Sequence, residues 1–128
     1  MKKYAIIVAG GKGLRMGKEI LKQFLPIAGV PILMRTIHTF YYFDPETTLI
    51  LVLPAEQQEY WHTLCKEYRF NIPVTIVNGG ETRYHSVKNA LSAVHENGLV
   101  AVHDGVRPFV SREVLAHAYT SAAEKGSA

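Results

Sequence analysis

Short apolar runs separated by longer amphipathic stretches dominate the hydrophobic pattern of this chain. The runs are rich in Ile, Val and Leu and do not alternate strictly with polar residues, which is typical of parallel strands covered on both faces. Four runs predict strands, at Tyr4–Val8, Thr48–Leu53, Val74–Val77 and Leu99–Val102. Because a helical stretch separates successive strands, the pattern predicts an α/β fold with a mostly parallel sheet.

Helical spacing predicts the elements between and after these strands. Pro31 suits a first-turn position and opens a helix over Ile32–Phe43, and a second helix is predicted over Glu56–Tyr68. Thr82 is a candidate N-cap for a third helix, and Ser111 for a fourth. The third helix would carry one apolar stripe, formed by Val87, Ala90, Leu91 and Val94.

Composition bounds the class of protein. A chain of 128 residues that is 48% hydrophobic and 20% charged is typical of one globular domain, so we expect a single domain over residues 1–128. No apolar run approaches the roughly 20 residues that span a bilayer, and the start of the chain is a poor signal peptide. The single Cys65 excludes an internal disulfide, and the six histidines show no metal-ligand spacing. These features predict a cytoplasmic protein without a zinc site.

Positive charge is concentrated near the start of the chain. Six of the 14 Lys and Arg residues, but only one acidic residue, lie within the first 22 positions. A nucleic-acid binder usually carries a broad basic stripe, often with stacking aromatic residues. Charge gathered at one loop instead predicts a small polyanion as the ligand, with no nucleic-acid or membrane partner.

Three loops with unusual residues leave the carboxyl ends of predicted strands. They are Ala9–Gly17, Asn78–Arg83 and His103–Pro108. In open parallel sheets, ligands bind beyond the carboxyl ends of the strands. The three loops are therefore expected to form a single site.

The first loop is glycine-rich but matches neither common phosphate fingerprint. Gly13 stands where a Walker A loop needs Ser or Thr, and Met16 replaces the third glycine of a dinucleotide fingerprint. The glycines alone are also compatible with a plain strand-to-helix turn. Arg15 and Lys22 add fixed positive charge beside them, and the combination predicts a triphosphate site.

The second loop contains the pair Gly79-Gly80, whose backbone amides and carbonyls we expect to be exposed for reading the edge of a base. Arg83 and Ser86 follow three residues apart, so they share a face of the first helical turn. A turn followed by a helix cap is the alternative interpretation of this loop.

The third loop, His103–Pro108, carries Asp104 at the end of an apolar strand. A carboxylate in that place can bind a ribose hydroxyl or a metal ion held by phosphates. Gly105 keeps the backbone clear of a side chain. An Asp104–Arg107 pair that only ties the loop together is the alternative.

Four motifs, AGGKGLRMG, KQFLPIAGVPIL, GGETRYHSV and VHDGVRPFV, together span residues 9–110. With these motifs in this order, the chain resembles the sugar-alcohol phosphate cytidylyltransferases. Within them it resembles the branch that acts on 2-C-methyl-D-erythritol 4-phosphate in non-mevalonate isoprenoid biosynthesis. Ribitol-5-phosphate enzymes share the first two motifs and the HD-x-x-RP loop, whereas Arg83-x-x-Ser86-Val87 favours the methylerythritol branch. The resemblance implies a Rossmann-like three-layer α/β/α fold of the nucleotide-diphospho-sugar transferase type.

The resemblance also implies a reaction and a set of roles. CMP would pass from CTP to the sugar-alcohol phosphate and pyrophosphate would leave, with Mg²⁺ bridging the phosphates and Asp104 near the metal. Arg15 and Lys22 would be catalytic, stabilising negative charge around phosphorus. The positions that match nucleotide-binding residues are Ala9, Gly10, Gly11, Gly13, Gly80, Glu81, Arg83, Ser86, Asp104 and Gly105.

Two departures from the family pattern modify these expectations. Leu21 stands where the family has proline before its lysine, which we expect to leave Lys22 more mobile. Family members continue beyond residue 128, and the resemblance assigns the acceptor contacts and an arm exchanged in a homodimer to that part. We therefore expect an N-terminal portion that has little or no transferase activity alone.

Three other functions remain open at this point. A ribitol-5-phosphate or other sugar-phosphate nucleotidyltransferase would share the fold. A non-catalytic nucleotide-binding module would bind CTP without turning it over. A dinucleotide-dependent oxidoreductase is disfavoured by Met16 and by the lack of an acidic residue after the second strand.

Overall fold

The computed structural model of the chain describes residues 2–9, 24–95, 98–105, 114–117 and 119, and the backbone of residues 15–16 and 20–21. The elements in chain order are β1 (Lys2–Val8), β2 (Arg15–Met16), β3 (Ile20–Leu21), β4 (Pro26–Ile27), β5 (Val30–Pro31), α1 (Ile32–Phe43), β6 (Thr48–Leu53), α2 (Ala55–Glu67), β7 (Thr75–Asn78), α3 (Arg83–Leu91) and β8 (Gly98–Asp104).

The central sheet has the strand order β7-β6-β1-β8, and all of its neighbouring strands are parallel. All four strands predicted from the apolar runs are present, with bounds that differ by at most two residues. The longest extension is at β8, where Asp104 is the last residue of the strand rather than part of the loop. The prediction of a mostly parallel α/β sheet is confirmed.

Alternating residues of β1 divide the core into two layers. Ala5 and Ile7 pack in a cluster with buried residues of α1 and α2, whereas Tyr4 and Ile6 pack with Ala90 of α3 on the opposite face. Successive side chains of a strand point to opposite faces, so a strand that is apolar at every position needs cover on both. The helices supply that cover, which confirms the three-layer α/β/α arrangement.

The helix boundaries follow local chemistry closely. Pro31 is the N-cap of α1, one position before the first-turn place predicted for it. Thr82 caps α3 as predicted, because its Oγ1 accepts a hydrogen bond from the His85 N–H at 3.1 Å. None of the helices in the described part of the chain is long and apolar enough to cross a membrane.

The apolar stripe predicted for α3 is wrong at one position. Leu91 is 47% exposed, whereas Ala90 is fully buried. Residues that are adjacent in a helix point about 100° apart, so both cannot face the sheet. Val94 lies beyond the end of the helix but still packs against the same core cluster. Ser111, the cap predicted for a fourth helix, lies outside the described residues, although 114–117 and 119 are helical.

Two small hairpins were not predicted by the apolar pattern. The strands β2 and β3 pair antiparallel, as do β4 and β5. The turn of the second hairpin places Ala28 and Gly29 at positive φ, 51° and 82°. Arg35 of α1 holds this turn, donating from Nε to the Ile27 carbonyl at 2.7 Å and from Nη2 to the Ala28 carbonyl at 3.2 Å.

Candidate functional site

The ends of all four parallel strands meet at one edge of the sheet. Val8 pairs with Val52 on one side and with Asp104 on the other, and Leu53 pairs with Asn78. The loops that follow β1, β7 and β8 therefore start at the same edge, as the sequence predicts. The second loop, and the third as far as Gly105, lie within the described residues.

The crevice between β1 and β8 is the switch point of the sheet. From β1 the chain moves outward to β6 and β7, and then returns to β8 on the other side of β1. In open parallel sheets this is the place where ligands bind. Gly105 continues the pairing one residue past β8, because its N–H donates to the Val8 carbonyl at 2.9 Å. Asp104, half-buried, thus lies beside the start of the first loop.

Close packing explains why the crevice floor carries small residues. Ala9 is 2% exposed, and its N–H donates to the Val52 carbonyl at 3.0 Å. A Cβ at Gly105 would lie 3.1 Å from the Ala9 Cβ and 3.0 Å from Cδ1 of Leu33. The Gly105 carbonyl in turn accepts a 2.7 Å hydrogen bond from the hydroxyl of Thr36, which is fully buried in α1.

The backbone N–H groups of Gly79 and Gly80 both donate hydrogen bonds to other parts of the chain. The Gly79 N–H donates to the Leu53 carbonyl at 2.9 Å, and the Gly80 N–H donates to Oγ of Ser86 at 3.0 Å. A Cβ at Gly80 would overlap the Cβ of His85, so only glycine fits against the first turn of α3. Both N–H groups are used inside the protein, which corrects the expectation that the loop offers them to a base.

Two amide side chains hold Asn78, the residue before this pair. Nε2 of Gln58 donates to Oδ1 of Asn78 at 2.7 Å and to the Leu53 carbonyl at 3.1 Å. Nδ2 of Asn89 donates to the Asn78 carbonyl at 3.0 Å. Polar residues on exposed helix surfaces are common, so nothing in the sequence singles out Gln58 or Asn89.

The residues predicted on the second loop differ in exposure. Ser86 is 7% exposed, at the inner side of α3, whereas Glu81 and Arg83 are exposed. Although Arg83 and Ser86 are three residues apart, only the Ser86 side chain is buried on the side of α3 that faces the core. The buried hydroxyl is fixed, and the two charged groups project from the loop's outer side.

The segment that carries the predicted catalytic cations is described in part. The backbone of Arg15 pairs with Leu21, which precedes Lys22 in the chain. Leu21 thus lies in a paired strand at the place where the family has proline. Lys22, Gly10, Gly11 and Gly13 lie outside the described residues.

Phe24 anchors the chain just after this segment. It is 3% exposed, and its ring lies 5.1 Å from that of Tyr60, edge to face, and 6.4 Å from that of Trp61. Trp61 is 1% exposed, so it packs in the core. Tyr60 packs on Phe24 but remains 46% exposed.

Few side chains among the described residues could bind a metal ion or act as a nucleophile. No cluster of three or more metal-ligating side chains occurs among the described residues. Asp104 offers one carboxylate at the crevice, which suits Mg²⁺, a hard ion commonly bound by one or two carboxylates together with substrate phosphates. Burial raises the pKa of the Cys65 thiol to about 11, which keeps this thiol protonated and unreactive at neutral pH.

Solved structures share this architecture. The chain matches the 4-diphosphocytidyl-2C-methyl-D-erythritol synthase of Anaerococcus prevotii with a TM-score of 0.73 at 24% identity, covering 97% of this chain and 52% of that one. It matches the bifunctional IspDF of Campylobacter jejuni with a TM-score of 0.76 at 22% identity, covering 97% and 31%. At these identities the likeness establishes the fold alone, an α/β fold with a mostly parallel sheet.

Sequence comparison identifies the family. The profile of the 2-C-methyl-D-erythritol 4-phosphate cytidylyltransferase family matches residues 4–128, so the chain belongs to that family. Curated relatives with that name are 61% identical over 125 residues in Phocaeicola vulgatus and 59% identical over 118 residues in Bacteroides fragilis. These matches cover 98% and 92% of this chain but 57% and 54% of the relatives. The chain thus spans about half the length of the curated relatives it matches.

Proposed function

We propose that this chain contributes the nucleotide half of a cytidylyltransferase that transfers CMP from CTP to 2-C-methyl-D-erythritol 4-phosphate. The family match over residues 4–128 carries this proposal. The crevice between β1 and β8 and the Gly80–Ser86 contact support it, because both lie at the edge where parallel sheets bind ligands.

The base would bind at the second loop. With the N–H groups of Gly79 and Gly80 already donating inside the protein, the loop offers carbonyl oxygens to a ligand. Cytosine presents an amino group that can donate to such carbonyls, whereas uracil presents an oxygen in the same place. The Ser86 hydroxyl accepts from Gly80 and can still donate its own hydrogen to a base acceptor.

The phosphates would bind at the first loop and the crevice. An oxygen of the acceptor phosphate attacks the α-phosphorus of CTP, and the bond from that phosphorus to the leaving pyrophosphate breaks. Arg15 and Lys22 are proposed to stabilise the charge that develops there, since phosphoryl transfer depends on positioning and electrostatics. Bound Mg²⁺ would neutralise phosphate charge, and Asp104 is the residue proposed to face it.

Pyrophosphate release tests the proposal directly. The assay uses the chain joined at residue 128 to the remaining part of the 61%-identical Phocaeicola vulgatus relative. We expect release with CTP and 2-C-methyl-D-erythritol 4-phosphate, and far slower release with UTP, ATP or GTP. Faster turnover of ribitol 5-phosphate would instead indicate the neighbouring acceptor class, and CTP binding without turnover would indicate a binding module.

The 128-residue chain by itself gives a second test. We expect it to bind CTP in calorimetry but to release little or no pyrophosphate with either acceptor. Robust transferase activity of this chain alone would contradict the assignment of the acceptor contacts to the rest of the family's length. Absence of CTP binding would contradict the assignment of the nucleotide half.

A further inference from the structure

Thr36 is a fully buried polar residue in the apolar face of α1. Its hydroxyl reaches two carbonyls, that of Gly105 at 2.7 Å and that of Ile32 at 3.2 Å. A hydroxyl has one hydrogen to donate, and the Ile32 carbonyl is already the partner of the helix ladder one turn back. The shorter contact to Gly105, 69 residues away in sequence, is therefore the bond that Thr36 makes.

This bond joins α1 to the floor of the crevice. Gly105 directly follows Asp104, and its N–H is bonded to the Val8 carbonyl at 2.9 Å. The peptide groups on both sides of the Gly105 Cα are thus fixed, one by β1 and the other by Thr36. The position of the Asp104 backbone depends on both.

The same turn of α1 also binds the chain that leads away from the predicted catalytic lysine. The Ile32 N–H donates to the Leu25 carbonyl at 2.9 Å, three residues after Lys22 in sequence. One helical turn therefore holds two segments that the proposed site needs in fixed relation. Ile32 does so through its backbone, which any residue supplies, whereas Thr36 does so through its side chain.

We propose that Thr36 is a positioning residue of the nucleotide site, whose buried hydroxyl fixes the Gly105 carbonyl and, through it, the end of β8 that carries Asp104. This inference rests on the proposed function. Thr36 itself is fully buried, so its side chain is out of reach of a ligand in the crevice. Loss of its hydroxyl should displace the crevice floor, and small displacements at a reacting centre reduce rates strongly.

Thr36→Val tests the proposal, because valine keeps the shape and removes the donor. In the joined chain we expect KM for CTP to rise about 10-fold, while KM for the acceptor stays within about twofold. Thr36→Ser should restore KM for CTP, since it keeps the hydroxyl. Thr63→Val is the matched control, because the Thr63 hydroxyl bonds the carbonyl four residues back at 3.2 Å and reaches no other segment.

Amide hydrogen exchange distinguishes a local displacement of Gly105 from a general loss of folding stability. In the 128-residue chain, Thr36→Val should accelerate exchange of the Gly105 N–H at least about 10-fold more than that of the Ala9 N–H, which bonds β6 instead. If Thr36→Val does not fold, Thr36→Ser and Thr36→Cys, which keep a donor of decreasing strength, should rank in that order for KM. A plain loss of stability would lower the active fraction, and hence kcat, without changing KM for CTP.

Two outcomes overturn the inference. One is an unchanged KM for CTP in folded Thr36→Val, and the other is a Thr36→Ser variant as impaired as Thr36→Val. Neither is confused with failure of the proposed function, which would appear as absence of CTP turnover in the unmodified joined chain. In that case the Gly105 exchange measurement still reports whether Thr36 fixes the crevice floor.

Discussion

The two loops described at the carboxyl edge of the sheet are held by different means. Besides the N–H bonds of its two glycines, the Gly79-Gly80 loop has exposed amide hydrogen bonds from Gln58 and Asn89 to Asn78. The Asp104–Gly105 end is held by the Gly105 N–H bond to Val8 and by the buried hydroxyl of Thr36. The amide bonds to Asn78 are exposed and individually weak, whereas the side-chain bond at Gly105 is buried.

Solvent explains why these arrangements are not equivalent. Water competes for exposed amides, so a typical hydrogen bond contributes about 0.5–1.5 kcal/mol net, and a freed group is simply hydrated. A buried carbonyl that loses its donor finds no water and costs about 1–3 kcal/mol. A single substitution should therefore disturb the Gly105 side more than any one amide substitution disturbs the Gly80 side, unless the change is steric.

Gly80→Ala is such a steric change and should have the largest effect on the second loop. The new Cβ would overlap the Cβ of His85, and 3.1 Å from it lies the backbone carbonyl carbon of that residue, so the first turn of α3 must shift. We expect CTP affinity, measured by calorimetry, to fall about 10- to 100-fold.

Gly79→Ala is the matched control for that variant. Its Cβ would lie 3.4 Å from the Pro54 nitrogen and 3.6 Å from Oγ of Ser86, which are ordinary contacts. Neither glycine has a positive φ, so backbone strain does not distinguish them. Equal losses in both variants would show that the loop tolerates no side chain at all, and the specific role given to His85 packing would be wrong.

The sequence predicts the strands and loops of this site better than the side-chain hydrogen bonds that hold the loops in place. Apolar runs locate the four parallel strands, because burial on both faces demands an uninterrupted apolar pattern. Thr82 is recognisable as a cap from its position before a helical stretch. Strand ends then locate the loops, since parallel strands end at one edge.

The side chains that hold the two loops are harder to recognise in the sequence, and Thr36 is the exception. Gln58 and Asn89 look like ordinary surface residues of helices, and their partners depend on tertiary geometry. The two-residue strands of the hairpins are too short to show any periodicity. Thr36 carries a usable signal, because it lies one turn from Leu33 and from Phe40 on the helical face that the pattern assigns to the core. A hydroxyl on such a face needs an internal acceptor.

Gln58→Met tests the exposed arrangement and should have a moderate effect. The Leu53 carbonyl keeps its bond from the Gly79 N–H, and Oδ1 of Asn78 can bind water instead, so no group is left unsatisfied. We expect CTP affinity to fall about threefold, the equivalent of one exposed hydrogen bond. Glu59→Met, at the next and exposed position of α2, should leave CTP affinity unchanged. A loss as large as that of Gly80→Ala would mean that the exposed bonds are not weak supports.

Gly105→Ala should reduce CTP affinity less than Gly80→Ala or Gln58→Met does. The added Cβ would lie 3.0 Å from Cδ1 of Leu33, 3.1 Å from the Ala9 Cβ and 3.3 Å from the Val8 carbonyl oxygen. The Leu33 methyl is the end of a flexible side chain and can move, whereas the Ala9 Cβ and the Val8 oxygen are fixed to the backbone, so the backbone at Gly105 must also shift by a few tenths of an ångström. We expect CTP affinity to change by less than about twofold, because the hydrogen bonds at Gly105 remain intact. A loss above tenfold would show that the crevice floor is as rigid sterically as the Gly80 side.

Asp44→Asn should leave CTP affinity unchanged, because Asp44 follows the end of α1, at the opposite edge of the sheet. Its carboxylate bonds Nζ of Lys3 at 2.9 Å, and this bond, followed by one from the Glu46 N–H, lowers the pKa of Asp44 below its usual 3.8. A lowered carboxyl pKa stabilises the fold above pH 3.8, and the stabilisation is lost as the pH falls through the folded pKa. Thermal melts between pH 5 and pH 3 should therefore be less pH-dependent in Asp44→Asn than in the unmodified chain, with Glu46→Gln, which keeps the backbone donor, as control. A change in CTP affinity would instead show that the two edges of the sheet are coupled, and the contrast between the two loops would no longer be a local one.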